Sequence, residues 1–306
     1  MLVLGGLGLA ACGPAGNPDP RGTTNAVPAA PTTYAVKGVI KELLPNGRTA
    51  RITHEAIPGY MEAMTMPLDV KDTNELKGLQ AGDQVAFRMV VTPTDGWIDQ
   101  VRKIGEPTNL VALASATNGP PPRGTLRPVP QVEPLAVGDP IPDYKFTNQF
   151  GQPLSLHQYR GQVLAFTFIF TRCPFPTFCP RMNLNFEQAQ RLLKKTPNAP
   201  TNWHFLSLSF DPEFDTPAVL KSYAERVNYD PRQWTFATSD LWTIDGITEQ
   251  FGLQFWREGS DLPNHNLRTV VLDPRGRIHQ VFNGQEWQPA ELVDSMLAAA
   301  KANGAP

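Results

Sequence analysis

The feature that most restricts the fold is a barrier. Between Pro107 and Pro134, in the stretch GEPTNLVALASATNGPPPRGTLRPVPQVEP, the chain carries seven prolines. Proline has no backbone N–H and fixes φ, so neither a helix interior nor an inner strand can run through such a segment. The chain must build one folded region before it and another after it. As a flexible coil of about 30 residues the segment reaches roughly 30 Å, and further where prolines stiffen it. With 306 residues, 41% of them hydrophobic, there is enough apolar material for two cores. The balance of 27 Lys and Arg against 29 Asp and Glu gives a formal net charge of −2, with no long run of one sign. A chain without a basic field is not expected to bind nucleic acid.

The opening residues MLVLGGLGLAAC form an apolar run too short to remain in a bilayer as a permanent helix. The run ends in Leu9-Ala10-Ala11-Cys12 and resembles a bacterial lipoprotein signal, whose lipobox cysteine is lipidated and becomes the mature N-terminus. The resemblance implies a signal over residues 1–12, an acyl anchor on Cys12, and a body held outside the cytoplasm on the periplasmic face of a membrane. Residues 13–33, GPAGNPDPRGTTNAVPAAPTT, have the composition of a flexible tether. Disulfides are permitted in that compartment.

Residues 34–104 read as short strands, YAVKGVIKEL, TARITHEA, QVAFRMVVTP and WIDQVRKI, separated by turn signals at Pro45-Asn46-Gly47, Ala81-Gly82-Asp83 and Asp95-Gly96. About seventy residues of this pattern predict a small closed all-β, OB-like barrel. The same region collects soft donors: His54 is followed by Met61, Met64 and Met66, although the whole chain has only 7 methionines. Met64 and Met66, two apart on a strand, share a face. Thioether and imidazole together suit Cu(I), whereas hard cations take oxygen. Methionine also fills cores, which is the reading for Met89 in its alternating apolar strand. His54 followed by Met64-Thr65-Met66 ahead of an apolar strand resembles the CusF-like periplasmic copper-binding domain. That resemblance implies His54, Met64 and Met66 as copper ligands, with Met61 at the position of the family's tryptophan as a further candidate.

Residues 105–135 form the linker, and over residues 136–304 the pattern turns α/β. The apolar run QVLAFTFIFT reads as a strand buried on both faces. An amphipathic helix (NLNFEQAQRLLKK) and a second buried strand (HFLSLSF) follow it. Next comes a helix opened by Asp215-Thr216-Pro217, then a hairpin around Asp273-Pro274-Arg275-Gly276 and a closing helix, QPAELVDSMLAAAKANG. This order is thioredoxin-like. Cys173 and Cys179, five residues apart in TRCPFPTFCPRM, fall between the first strand and its helix. A helix N-terminus lowers a thiol pKa and favours the thiolate that attacks disulfides and binds metals. Residue types alone leave three roles open for the pair: a structural staple worth roughly 2 kcal/mol, a redox couple, or part of a metal site. A plain thioredoxin couple has only two intervening residues.

The stretch from about Val137 to Ala302 resembles the SCO/SenC family of copper chaperones. The likeness rests on the strand running into TRCP…CPRM, on FDPEFDTP, and on NHNLRTVVLDPRG with His265. The resemblance implies copper, Cu(I) and also Cu(II), held by Cys173, Cys179 and His265. It places Asp211 and Asp215 in a supporting loop, although Asp215 also suits a helix cap. It names as recipient the copper-accepting subunit of cytochrome c oxidase, with its binuclear copper centre. The family normally has three residues between its cysteines; this chain has five. The competing class is a thiol:disulfide oxidoreductase, in which one cysteine attacks and the other resolves the mixed disulfide, a chemistry that needs neither His265 nor the methionines. Peroxide reduction through a sulfenic acid on Cys173 alone is a weaker third class. His157, His204 and His279 have no second ligand type nearby and read as surface or strand residues.

Overall fold

A computed structural model of the chain describes residues 30–61, 63–105, 132–197, 199–253, 255–256 and 264–301. The apolar leader, Cys12, most of the tether and nearly all of the proline-rich segment lie outside the described residues. Among the described residues no helix is long and apolar enough to cross a membrane.

The N-terminal region is a five-stranded antiparallel sheet of β1 (Thr32–Leu43), β2 (Thr49–His54), β3 (Met64–Asp69), β4 (Gln84–Val91) and β5 (Gly96–Gly105), ordered β3-β2-β1-β4-β5. Its inner face follows the period-two pattern: Met64, Met66 and Leu68 are buried on β3, and Thr65, Pro67 and Asp69 between them are half-buried. Met89 has no exposed surface and sits in this core with Ile40, Ile52 and Ile98, as its alternating strand predicts.

The edges of this sheet approach each other, but they meet at a single bridge between Val70 and Ile98. No continuous ladder closes it among the described residues, so the region is all-β without the closed barrel expected from its strand pattern. The reason is local. Gln100 takes a left-handed φ of 52°, and its N–H and that of Val101 donate to the Glu75 carboxylate at 3.0 and 2.8 Å. On the opposing edge, Pro67 has no N–H to offer.

The C-terminal region is a seven-stranded mixed sheet of β6 (Lys145–Asn148), β7 (Pro153–Ser155), β8 (Val163–Ile169), β9 (Trp203–Ser209), β10 (Trp234–Thr238), β13 (Arg268–Leu272) and β14 (Ile278–Asn283). Its order is β14-β13-β8-β9-β10-β6-β7, and a two-residue pair, β11 (Phe255–Trp256) with β12 (Asn264–His265), stands beside it. The helices are α1 (Cys179–Lys195), α2 (Pro217–Ala224), α3 (Leu241–Gln250) and α4 (Pro289–Lys301). Every residue of β8 and β9 is buried, as parallel strands covered on both faces require. This is the thioredoxin-like order, extended by β6, β7, β10 and α3, which the sequence reading does not resolve. The described residues from Pro31 onward form one compact unit, so the two regions pack on each other.

Candidate metal centre

Sheet topology gathers the site. β8 lies between β13, antiparallel to it, and β9, parallel to it, so the C-terminal end of β8 is flanked by the start of β13 and the end of β9. The chain leaving β8 carries Cys173 and Cys179, the chain entering β13 carries His265, and the chain leaving β9 carries Asp211 and Asp215. Residues far apart in sequence thus arrive on strands roughly 5 Å apart.

The segment after β8 is fixed by the two carboxylates. Asp215, fully buried, accepts from the Thr171 N–H at 3.0 Å, the Thr171 hydroxyl at 2.5 Å and the Ser209 hydroxyl at 2.5 Å. Burial, opposed by these bonds, leaves its carboxyl above the ordinary value. Asp211, also buried, pairs with the Arg172 guanidinium at 2.7 Å. Asp215 is therefore not the cap of α2; Thr216 is, its hydroxyl accepting from the Val219 N–H at 3.4 Å. Asp215 and Asp211 hold the two residues that immediately precede Cys173.

Cys173, Cys179 and His265 converge, each offering one donor atom, with all three atoms within 4.8 Å of one another. Both cysteines are free thiols, so the staple is not formed. The His265 Nδ1–H donates to the Asn266 carbonyl at 2.7 Å, which leaves the Nε2 lone pair facing the sulfurs; Cys179 Sγ lies 3.6 Å from it. Phe170 and Phe210 bracket the imidazole, ring centroids 5.4 and 5.0 Å away. Metal bonds of about 2.0–2.3 Å, as zinc makes to imidazole and thiolate, put the donors of a three-coordinate site roughly 3.5–4 Å apart. The 3.6 Å between Cys179 Sγ and His265 Nε2 falls in that range, and all three donors lie within 4.8 Å of one another.

The two thiols differ electrostatically. Burial alone raises both. For Cys173 the neighbouring Cys179 thiol and the His265 imidazole outweigh burial, and its pKa falls well below the ordinary thiol value. Cys179 has no exposed surface and is pushed up by burial and by the charge of Cys173. The sequence argument credits the helix N-terminus with acidifying a thiol, yet Cys179 is the residue that opens α1. The acidic thiol is the other one, and its causes are its neighbours.

A second set lies on the N-terminal sheet. His54 stands directly opposite Met64 in the β2–β3 ladder, with Met66 two residues on, all three on the buried face. The His54 Nδ1–H donates to the Glu55 carbonyl at 2.7 Å, while its buried Nε2 has no hydrogen-bond partner among the described residues. Burial lowers its pKa, so the ring is held neutral with its lone pair available. An unpartnered imidazole nitrogen beside two thioethers fits a soft cation. Met61, bridged to Ile57, is also buried.

Members of both sets line one cavity of about 170 Å³, with Met61, Met64 and Met66 on one side and Cys173, His265 and Phe175 on the other, while His54 and Cys179 lie behind its walls. The sequence reading misses this juxtaposition, together with Tyr60, Gly96 and Arg181, which contact across it. The other histidines stay outside: His204 is buried on β9 with Nε2 2.8 Å from the Thr235 hydroxyl, His157 Nε2 lies 3.1 Å from the Ile141 carbonyl, and His279 sits on β14.

The family model described as SCO1/SenC matches residues 135–301, more than half of the chain. The chain belongs to the SCO1/SenC family. The model described as copper binding periplasmic protein CusF matches residues 33–103, so this SCO1/SenC protein carries a CusF-like region ahead of its thioredoxin-like one. It is similar to a SCO1 protein homolog of Bacillus subtilis, 29% identical over 166 residues, spanning 52% of this chain and 82% of the relative. Among solved structures it is similar to a SCO1/SenC family lipoprotein from Bacillus anthracis (23% identity, TM-score 0.48, 54% of this chain and 99% of that one). It is also similar to BsSco, a member of the Sco family of cytochrome c oxidase assembly proteins (26% identity, TM-score 0.47, 56% of this chain and 98% of that one).

Proposed function

We propose that this protein is an extracytoplasmic copper chaperone that supports assembly of the binuclear copper centre of cytochrome c oxidase, handing the ion to the copper-accepting subunit. The observation that carries the reading is the convergence of two free thiols and a correctly oriented imidazole within 4.8 Å at the ends of β8 and β13. Cys173, Cys179 and His265 hold one copper, chiefly as Cu(I) and also as Cu(II). His54, Met64 and Met66 hold a second, as Cu(I), with Met61 alongside. The division into a CusF-like OB-like domain (34–104), a linker (105–135) and a thioredoxin-like domain (136–304) belongs to the same reading, as does an acyl anchor on Cys12. The test is copper per chain in the reduced protein. Two ions are expected in the wild type, one of them lost in Cys173→Ser or His265→Ala and the other in Met64→Ile. Full copper in all three variants overturns the assignment.

One observation favours a second reading as a thiol:disulfide oxidoreductase: Cys173 is the acidic thiol and Cys179 stands beside it. In that chemistry Cys173 attacks a client disulfide and Cys179 displaces the client as the internal disulfide forms. Full copper retention in His265→Ala, with loss of reductase activity in Cys173→Ser, selects that reading.

A further inference from the structure

We propose that the methionine face of the N-terminal sheet and the cysteine–histidine cluster form one shared exchange chamber, partly open to solvent, in which Cu(I) passes between thioether and thiolate donors faster than it escapes to bulk water. The inference rests on copper binding as read above, and adds the route between the two donor sets.

The chamber is the 170 Å³ cavity, well above the roughly 10–15 Å³ that a single water needs. Its walls bring sulfur from both regions to the same space: Met61, Met64 and Met66 face Cys173, with the His265 ring beside it. Among the described residues, most of the remaining wall is aromatic or proline, and no carboxylate lines it. Soft donors with only the neutral oxygens of Thr65 and Asn266 beside them favour Cu(I) over the hard cations. In the transfer, copper remains in the +1 state. Its bonds to the methionine sulfurs and the His54 nitrogen break as bonds to Cys173, Cys179 and His265 Nε2 form, and any proton still on a thiol leaves to water.

The loop between the two cysteines and the start of α1 hold the two walls of the chamber together. The Tyr60 hydroxyl donates to the Pro174 carbonyl at 3.2 Å. The Phe175 ring lies against Gly96, where a Cβ atom would stand 2.7 Å from the ring tip. Just past Cys179, the Arg181 guanidinium donates to the Thr94 carbonyl at 2.9 Å and pairs with Asp95 at 3.6 Å. These contacts join the turn and first residue of β5, and the segment before β3, to the loop that carries both thiols.

Gly96→Val tests the closure from the sheet side. Gly96 has an ordinary strand backbone with no positive φ, so valine suits the strand, and the three atoms nearest an added Cβ all belong to Phe175. Two measurements use the full chain. In the reduced, copper-free protein, alkylation of Cys173 by iodoacetamide should accelerate at least about tenfold in Gly96→Val, which corresponds to about 1.4 kcal/mol of closure. In the second, protein with the Cys173–Cys179 disulfide formed is loaded with one Cu(I) and then reduced by a phosphine in the presence of bathocuproine disulfonate. The wild type should pass copper to the thiolates to an extent independent of chelator concentration, while Gly96→Val should lose it in proportion to chelator. If Gly96→Val fails to fold, Arg181→Ala is read the same way. Equal alkylation rates and coincident chelator curves in wild type and variant overturn the chamber and leave the chaperone reading standing. A reduced wild type that binds no copper overturns both.

Discussion

Replacing Asp215 by alanine should loosen the segment that presents Cys173, and the structure sets the size of the effect. The buried carboxylate accepts three hydrogen bonds, from the Thr171 N–H, the Thr171 hydroxyl and the Ser209 hydroxyl. At about 1 kcal/mol for each bond, and with partly buried donors left unpaired, Asp215→Ala should cost about 3–4 kcal/mol. Asp215→Asn keeps the volume and one acceptor oxygen, and the two hydroxyls can turn to accept from its amide, so its cost should be nearer about 1 kcal/mol. Urea unfolding at neutral pH measures both costs, and Cu(I) affinity of the folded variants measures how well Cys173 is still presented. The carboxyl sits above its ordinary value in the fold, so the folded state holds the proton more tightly than the unfolded one. Wild-type stability relative to Asp215→Asn should fall as pH rises from the unfolded-state value of 3.8 to the raised folded value, then level off. An alanine variant that loses less than about 1 kcal/mol, or that keeps wild-type copper affinity, refutes the idea that Asp215 fixes the strand exit.

Three further outcomes are expected. His204 is buried on β9 with its pKa lowered by burial to about 4 from 6.5, so stability should fall as pH drops through that window, by about 3 kcal/mol in total. His204→Gln should flatten that limb of the pH–stability curve measured by denaturant unfolding. His54→Leu should abolish copper binding at the N-terminal sheet at a stability cost of no more than about 1 kcal/mol, because the lost Nδ1 bond to the Glu55 carbonyl is offset by removal of a buried Nε2 with no partner among the described residues; an apolar replacement that unfolds the sheet refutes this. Cys12→Ala should move the protein from the membrane to the soluble fraction and abolish incorporation of labelled palmitate, and a variant that stays membrane-bound refutes the anchor.

The parts of this protein that could be read along the chain are those written in local pattern. The fully apolar β8, the alternation of β4 and the helix after the cysteine loop follow from periodicity. So does the shared face of Met64 and Met66. The pairing of His265 with the cysteines came from family likeness, since no local signal links residues 86 positions apart. Asp215 and Thr216 are both good caps for α2, and only the bonds from Thr171 and Ser209 decide that Asp215 is used elsewhere. β10 and α3 were missed because WTFATSDLWTIDG has no clean period of either kind. The closed barrel was expected from strand count, whereas Glu75, reaching across to the β5 backbone, leaves that edge unladdered. The contacts of Tyr60, Gly96 and Arg181 involve residues about a hundred positions apart and leave no mark in sequence.

The placement of Cys173 and His265 on chain segments flanking neighbouring strands β8 and β13 separates two lengths that could otherwise constrain each other. The gap an ion must bridge between sulfur and nitrogen is inherited from the sheet, whose strand spacing no loop can alter. The number of residues between the two sulfurs is set elsewhere, by whatever the loop touches. A chain built this way can carry five residues between its sulfurs and give them a second duty while the ruler underneath keeps its scale.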